Sequence, residues 1–390
     1  MWRLIRKIAI VTIVVIALLA VAAWITWSTV GKIHHSKPKV TPAAIIPSGD
    51  AVLDSIRRGI EFVKVYQEDD GQFSCGLVDP KPAFTAMVVE AILSSPEAPS
   101  LKDNPWLQKA VDAILACQQE NGGIYTPRIP IGNYCTCVSI MALAAANEEL
   151  YRPQIKRATA YLLGIQWNDQ AKPDDSGGFG YSSGSRPDLS NTVMAIEALR
   201  SAGLAADDPA IQNAVKFVSK CQNCSETNPL NWALDDGGFI YKPASSDSTE
   251  RDKQAKGRGF KSYGTMTYAG LLSMVYANIG PDDMRVKSAM AWIDGNYSVH
   301  ENVAMGNAGL FYYYRMMSKA LSTASVKTLK TATGDKDWAQ EMAAAIIEKQ
   351  QPDGSWVNTN AAWMESDPIL VTAYCVRALS FCRGVITGAK

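Results

Sequence analysis

Histidine is scarce in this chain of 390 residues. There are three, and His34 and His35 lie in a polar stretch near the N-terminus, so His300 is the single histidine of the expected folded body. Chemistry built on several imidazoles has almost no material to work with. Net charge is lacking too, because 38 Lys and Arg balance 38 Asp and Glu. A neutral chain has no general pull toward nucleic acid, and no recognition motif for it is present, so nucleic acid is not expected as a partner. Charge is missing altogether from residues 8–30, which are mostly Ile, Val, Leu and Ala. A run of that length spans a hydrocarbon core of roughly 30 Å as a helix. Trp24 and Trp27 fall where an interfacial aromatic belt belongs, and Arg3, Arg6 and Lys7 precede the run. Basic residues on that side predict a cytoplasmic N-terminus and an extracytoplasmic body on a single-pass anchor, residues 1–30, with a stalk over 31–49. A cleaved signal peptide is the alternative, with Ala20-Val21-Ala22 as its cleavage motif.

What the chain does have is 47% hydrophobic residues and a repeated phrase. The clearest copy is Gln350-Gln351-Pro352-Asp353-Gly354-Ser355-Trp356. Others run Gln67-Glu68-Asp69-Asp70-Gly71-Gln72-Phe73 and Gln118-Gln119-Glu120-Asn121-Gly122-Gly123-Ile124. Two keep the second half, Asp174-Asp175-Ser176-Gly177-Gly178-Phe179 and Asp235-Asp236-Gly237-Gly238-Phe239. Helix-like apolar spacing precedes each copy, over 51–66, 105–118, 153–165, 209–221 and 337–350, with Pro105, Pro153 and Pro209 at expected helix starts. More apolar helices follow over 83–93, 134–146, 189–202, 265–277 and 369–381. Thr85, Thr136, Thr192, Thr267 and Thr372 share a register there, each with a large apolar residue two turns later on the same face. A pair without the phrase, 285–296 and 309–321, completes six. Repeats of this kind predict one all-α (α/α)6 toroid over residues 50–385, apolar helices inside.

The phrases resemble the repeats shared by squalene–hopene and oxidosqualene cyclases and the β-subunits of protein prenyltransferases. Ser262-Tyr263-Gly264-Thr265-Met266-Thr267-Tyr268-Ala269-Gly270 is also similar to a stretch in membrane-attached bacterial proteins with the same repeats. The resemblance implies a central cavity that takes isoprenoid chains, and phrases that are structural. Cyclases of this type protonate an alkene or epoxide with the middle Asp of Asp-x-Asp-Asp-Thr. The matching stretch is Asp188-Leu189-Ser190-Asn191-Thr192, and the acid position is Ser190. A hydroxyl cannot be that acid, so the family protonation is not expected. Prenyltransferases hold zinc through Asp, Cys and His; the His position is Val371 and the Asp-x-Cys region falls around Tyr263-Gly264-Thr265. No metal and no other cofactor is therefore expected. Arg258 and Lys261 resemble the Arg-x-x-Lys pair that contacts isoprenoid diphosphate, against the plainer reading of a solvated loop.

Candidate acids are Asp188, Asp236, Glu365 and Asp367, each of which also suits a helix cap or a turn. Candidate ligand contacts are Arg258, Lys261, Tyr263, Tyr268, Tyr313 and Trp363, since aromatic faces stabilise carbocations, although aromatics at helical spacing also build cores. Cys75, Cys117, Cys135 and Cys137 allow a disulfide, and Cys135, Cys137, Cys221 and Cys224 a four-thiolate site. The expected function is a membrane-anchored toroid that binds an isoprenoid or other long apolar molecule, cyclase- or prenyltransferase-like if it is an enzyme. The alternatives are a non-catalytic scaffold that binds a protein, whose identity the sequence leaves open, and an (α/α)6 glycosidase with paired carboxylates.

Overall fold

The computed structural model describes residues 43, 45–74, 81–168, 172–230, 232–243 and 261–389. The expected anchor at 1–30, most of the stalk, Cys75 and Arg258 lie outside them. The described chain is mainly helical: α1 Ala51–Lys64, α2 Lys81–Leu93, α3 Pro105–Leu115, α4 Gly132–Ile165, α5 Leu189–Ser201, α6 Pro209–Ser219, α7 Gly264–Tyr276, α8 Met284–Gly295, α9 Leu310–Thr323, α10 Trp338–Glu348 and α11 Pro368–Thr387. α4 breaks at Asn147, whose backbone is extended and whose side chain accepts from Leu150 N at 3.1 Å, so it supplies two helices. The sequence placed the second of these from Pro153. The Asn147 cap starts it earlier and leaves Pro153 inside, where it forgoes one backbone bond.

Twelve helices thus form six pairs. The inner members α2, the first half of α4, α5, α7, α9 and α11 each pack on the next, and α11 packs back on α2, so the ring closes. Inner helices are buried on nearly every face, whereas α1, α3 and α6 carry one apolar stripe. α11 is long and apolar enough to cross a membrane by composition, but most of its apolar stretch is buried inside the ring. Six helices start at an aspartate that accepts a first-turn N–H: Asp50, Asp188, Asp208, Asp283, Asp337 and Asp367. An unforeseen two-stranded hairpin, β1 Leu329–Thr331 and β2 Gly334–Lys336, joins the fifth and sixth pairs.

The repeated phrase is the joint of the ring. In every copy the glutamine amide donates to the carbonyl of the phrase glycine and to a carbonyl in the first turns of the next outer helix. Gln67 reaches Gly71 and Trp106, both at 2.8 Å, and Gln118 reaches Gly122 and Gln154, both at 2.9 Å. Gln350 reaches Gly354 at 2.9 Å and Ser55 at 3.0 Å, which fastens the last pair to α1. In the two half-copies Gln166 and Gln222 do the same work from farther back in the chain. The phrase glycine sits at φ near +90° with the neighbouring helix against it; a Cβ on Gly177 would lie 2.1 Å from Asn213 O. The shared threonines complete the joint. Thr85, Thr136, Thr192, Thr267 and Thr372 accept the N–H of the residue ending each phrase, from Phe73 to Trp356, at 3.0–3.2 Å.

Cys135, Cys137, Cys221, Cys224, Cys375 and Cys382 are free thiols, and no group of three or more His, Cys, Asp or Glu among the described residues is placed to hold a metal. The four-thiolate site suggested for Cys135, Cys137, Cys221 and Cys224 is not assembled. Burial pushes the Cys135 thiol up to about 12, as expected of a core residue.

Candidate functional site

At the end of the ring where the inner helices begin, several side chains keep partial exposure amid a buried surround: Tyr134 on α4, Ser190 on α5, Tyr263 at the start of α7 and Tyr312 on α9. Protein surrounds their hydroxyls closely enough that burial raises the pKa of Tyr134, Tyr263 and Tyr312. Together these partly exposed side chains make a tyrosine-lined mouth at this end of the ring. Ser190 Oγ and the Tyr312 hydroxyl lie 3.3 Å apart, and Tyr312 stacks at a tilt on Tyr374, with centroids 5.7 Å apart. Because α5 and α9 are separated in the ring by α7, the Ser190–Tyr312 contact is a chord across the interior.

Below the mouth the interior is charged. Descending α9 on one face are Tyr312, Arg315 and Lys319; descending α5 are Ser190, Met194 and Glu197. Glu197 contacts Lys319 across the ring and lies 3.7 Å from Arg315 Nη2. Glu90 on α2 accepts from Arg377 Nε on α11 at 2.7 Å, and the Arg377 guanidinium lies 4.1 Å from the Phe381 ring centroid. Burial pushes the Glu90 carboxyl up, but the charges of Arg377, Lys319 and Arg315 outweigh it and hold it at about 2. Burial pushes the Lys319 ammonium down to about 7, against the pull of Glu90. The carboxylate of Glu90 is therefore ionised and paired, which makes it a poor proton donor to an alkene. Paired charges therefore occupy the interior of the ring at this depth. The sequence carried the signal: Glu90, Glu197, Arg315, Lys319 and Arg377 are charges inside otherwise apolar helices, and three of them stand five residues after a register threonine.

The candidates from sequence are dispersed. Asp188 caps α5, accepting from Asn191 N and Nδ2 at 2.8 Å, and burial pushes its carboxyl up to about 6. It stands beside the mouth, since its charge bears on the titration of both Tyr263 and Tyr312. Glu365 is fully buried behind the mouth. It accepts from Tyr312 N and Asn358 Nδ2 at 2.7 Å, and so caps α9 from another segment. Burial also pushes its carboxyl up. Asp367 caps α11 through Leu370 N at 2.9 Å. Asp236 and Lys261 are exposed, Asp236 accepting from Ser262 Oγ at 2.6 Å in its phrase turn. Tyr268 and Tyr313 are closed off in the wall of the ring, ring against ring with centroids 5.6 Å apart. Trp363 is 58% exposed, and it and Met364 both hold positive φ, with the Trp363 ring over Gly309.

Two family models match the chain. The squalene-hopene cyclase N-terminal domain covers residues 107–229 and the prenyltransferase alpha-alpha toroid domain residues 203–354. No curated protein matches it. Among solved structures, a variant of the type II terpene cyclase MstE from Scytonema, in complex with merosterolic acid A, is similar at 18% identity over 86% of this chain and 98% of its own, with a TM-score of 0.33. A protein from Actinoplanes is similar at 13% identity over 85% and 99%, TM-score 0.37. A protein from Salmonella enterica, described as a possible member of GH105 family, is similar at 12% identity over 92% and 99%, with a TM-score of 0.51; this likeness is one of fold.

Proposed function

Because the chain belongs to the superfamily of terpenoid cyclase and prenyltransferase toroids, we propose that it binds an isoprenoid or similar long apolar molecule in the tyrosine-lined mouth of the ring. The observation that carries this reading is the half-exposed set Tyr134, Tyr263 and Tyr312 around the start of the inner helices. Aromatic walls with few polar groups are what an apolar chain needs for burial. The mouth performs this without the family's proton donor. Ser190 stands at that position with its hydroxyl against Tyr312, and the paired charges below replace an acid at the axis. Extraction of the purified protein followed by mass spectrometry should recover a stoichiometric isoprenoid or long-chain lipid, and Tyr312→Ala should lower the yield. A lipid-free preparation would sink the reading.

We further propose that residues 8–30 anchor the body to a membrane with the ring on the extracytoplasmic side. The support is the uncharged run with basic residues before it. Protease accessibility of the ring in intact spheroplasts tests this; full protection would reverse the orientation.

A further inference from the structure

Of the five charged side chains below the mouth, three are cations and two are carboxylates. Glu90 is committed to Arg377, and Glu197 to Lys319. Each of these pairs sets one cation against one carboxylate. Arg315 remains. Its side chain is 4% exposed, its approach to Glu197 is 3.7 Å, and its other polar contact is Met194 Sδ at 3.8 Å from Nη1. Among the described residues it has no N–H···O bond, although a guanidinium carries five donors. A buried guanidinium whose donors lack acceptors is costly unless something completes them.

The surroundings say where that anion would enter. Tyr312 is one turn nearer the mouth on the same face of α9, with Ser190 Oγ against its hydroxyl. Arg315 bears electrostatically on Tyr134, Tyr312 and Tyr374, three tyrosines of the mouth. We propose that Arg315 anchors an oxyanion at the floor of the mouth, taking the carboxylate or phosphate head of a ligand whose apolar body lies among the tyrosines. This rests on the apolar-ligand reading and adds the head group to it. The guanidinium fork matches either oxyanion, and the Ser190 and Tyr312 hydroxyls are further donors within reach of the same depth.

The test is calorimetric titration of the purified full chain with three probes that share one chain: farnesol, farnesoic acid and farnesyl monophosphate. Both oxyanions should bind about tenfold or more tighter than farnesol, and the tighter of the two identifies the head group. Arg315→Gln should bring them down to the affinity of farnesol and leave farnesol unchanged. Glu197→Gln, which removes a competing negative charge without changing shape, should tighten the oxyanions alone. Equal binding of all three probes overturns the anchor while the apolar-ligand reading stands. Retained preference in Arg315→Gln overturns it as well, as does, should that variant not fold, no gain in Glu197→Gln. If none of the three binds, both proposals fall together.

Discussion

Gly177 shows how little freedom a phrase position has. At φ +90° a side chain is strained in any surroundings, and here a Cβ would also lie 2.1 Å from a backbone carbonyl of α6. Gly203 has φ +88° with nothing within 4 Å. Gly177→Ala should therefore cost more than about 3 kcal/mol, against about 1 kcal/mol for Gly203→Ala; equal losses in urea unfolding would remove the packing explanation. Glu90 gives a second expectation, in pH. Its folded carboxyl is held at about 2 against 4.5 for the free group, so its contribution is present above 4.5 and is lost as pH falls toward 2. The stability difference between the protein and Glu90→Gln should shrink by about 3 kcal/mol across that window. A difference flat in pH would mean the Arg377 pairing does not hold the carboxylate.

Among elements, α5 and α9 are joined through the interior although α7 separates them around the ring. Replacing either Glu197 or Lys319 by Leu breaks a buried ion pair and should cost about 3–5 kcal/mol. The double replacement should cost clearly less than the sum, and additive losses would show that the contact carries no coupling. Five of the six pairs could be read from the sequence because the phrase and the threonine register recur between their helices, and the sixth by helical spacing alone. The third and fourth joints were only half legible, since Gln166 and Gln222 stand 11 and 15 residues before their glycines instead of four. The interior charges were overlooked for a different reason. Helical periodicity reports which face is apolar, and a helix buried all round has no contrast against which Glu90 or Arg315 stands out. Asp188, Glu365 and Asp367 were visible as carboxylates at the right end of the ring, but the same residue types cap helices, and the structure shows each accepting backbone N–H groups.

For the molecule as a whole, the joint at Gln350 differs from the others in what it connects. Its amide donates to Ser55 O, and its Oε1 accepts from Ser55 Oγ at 2.8 Å and Arg58 Nε at 3.0 Å, so it ties the last pair to the first. Gln118→Ala loosens neighbours that the chain already connects through α4, whereas Gln350→Ala loosens the closure itself. Hydrogen exchange in Gln350→Ala should accelerate across α1 and α11 and leave α5 to α8 as they were. Uniform acceleration would mean that the ring unfolds as one unit.

Closure also fixes where the chain arrives. Arg383, near the end of α11, donates to Asp50 at the start of α1 with 2.8 Å between Nε and Oδ2. Both ends therefore meet on one face, and it is the face opposite the tyrosines, since α1 runs toward the phrase end and α11 away from it. The anchor proposed for residues 8–30 would join the ring at this back face. With that anchor the mouth would look outward, and the proposed apolar ligand would have to be handed over from the aqueous side or travel around the rim to reach it.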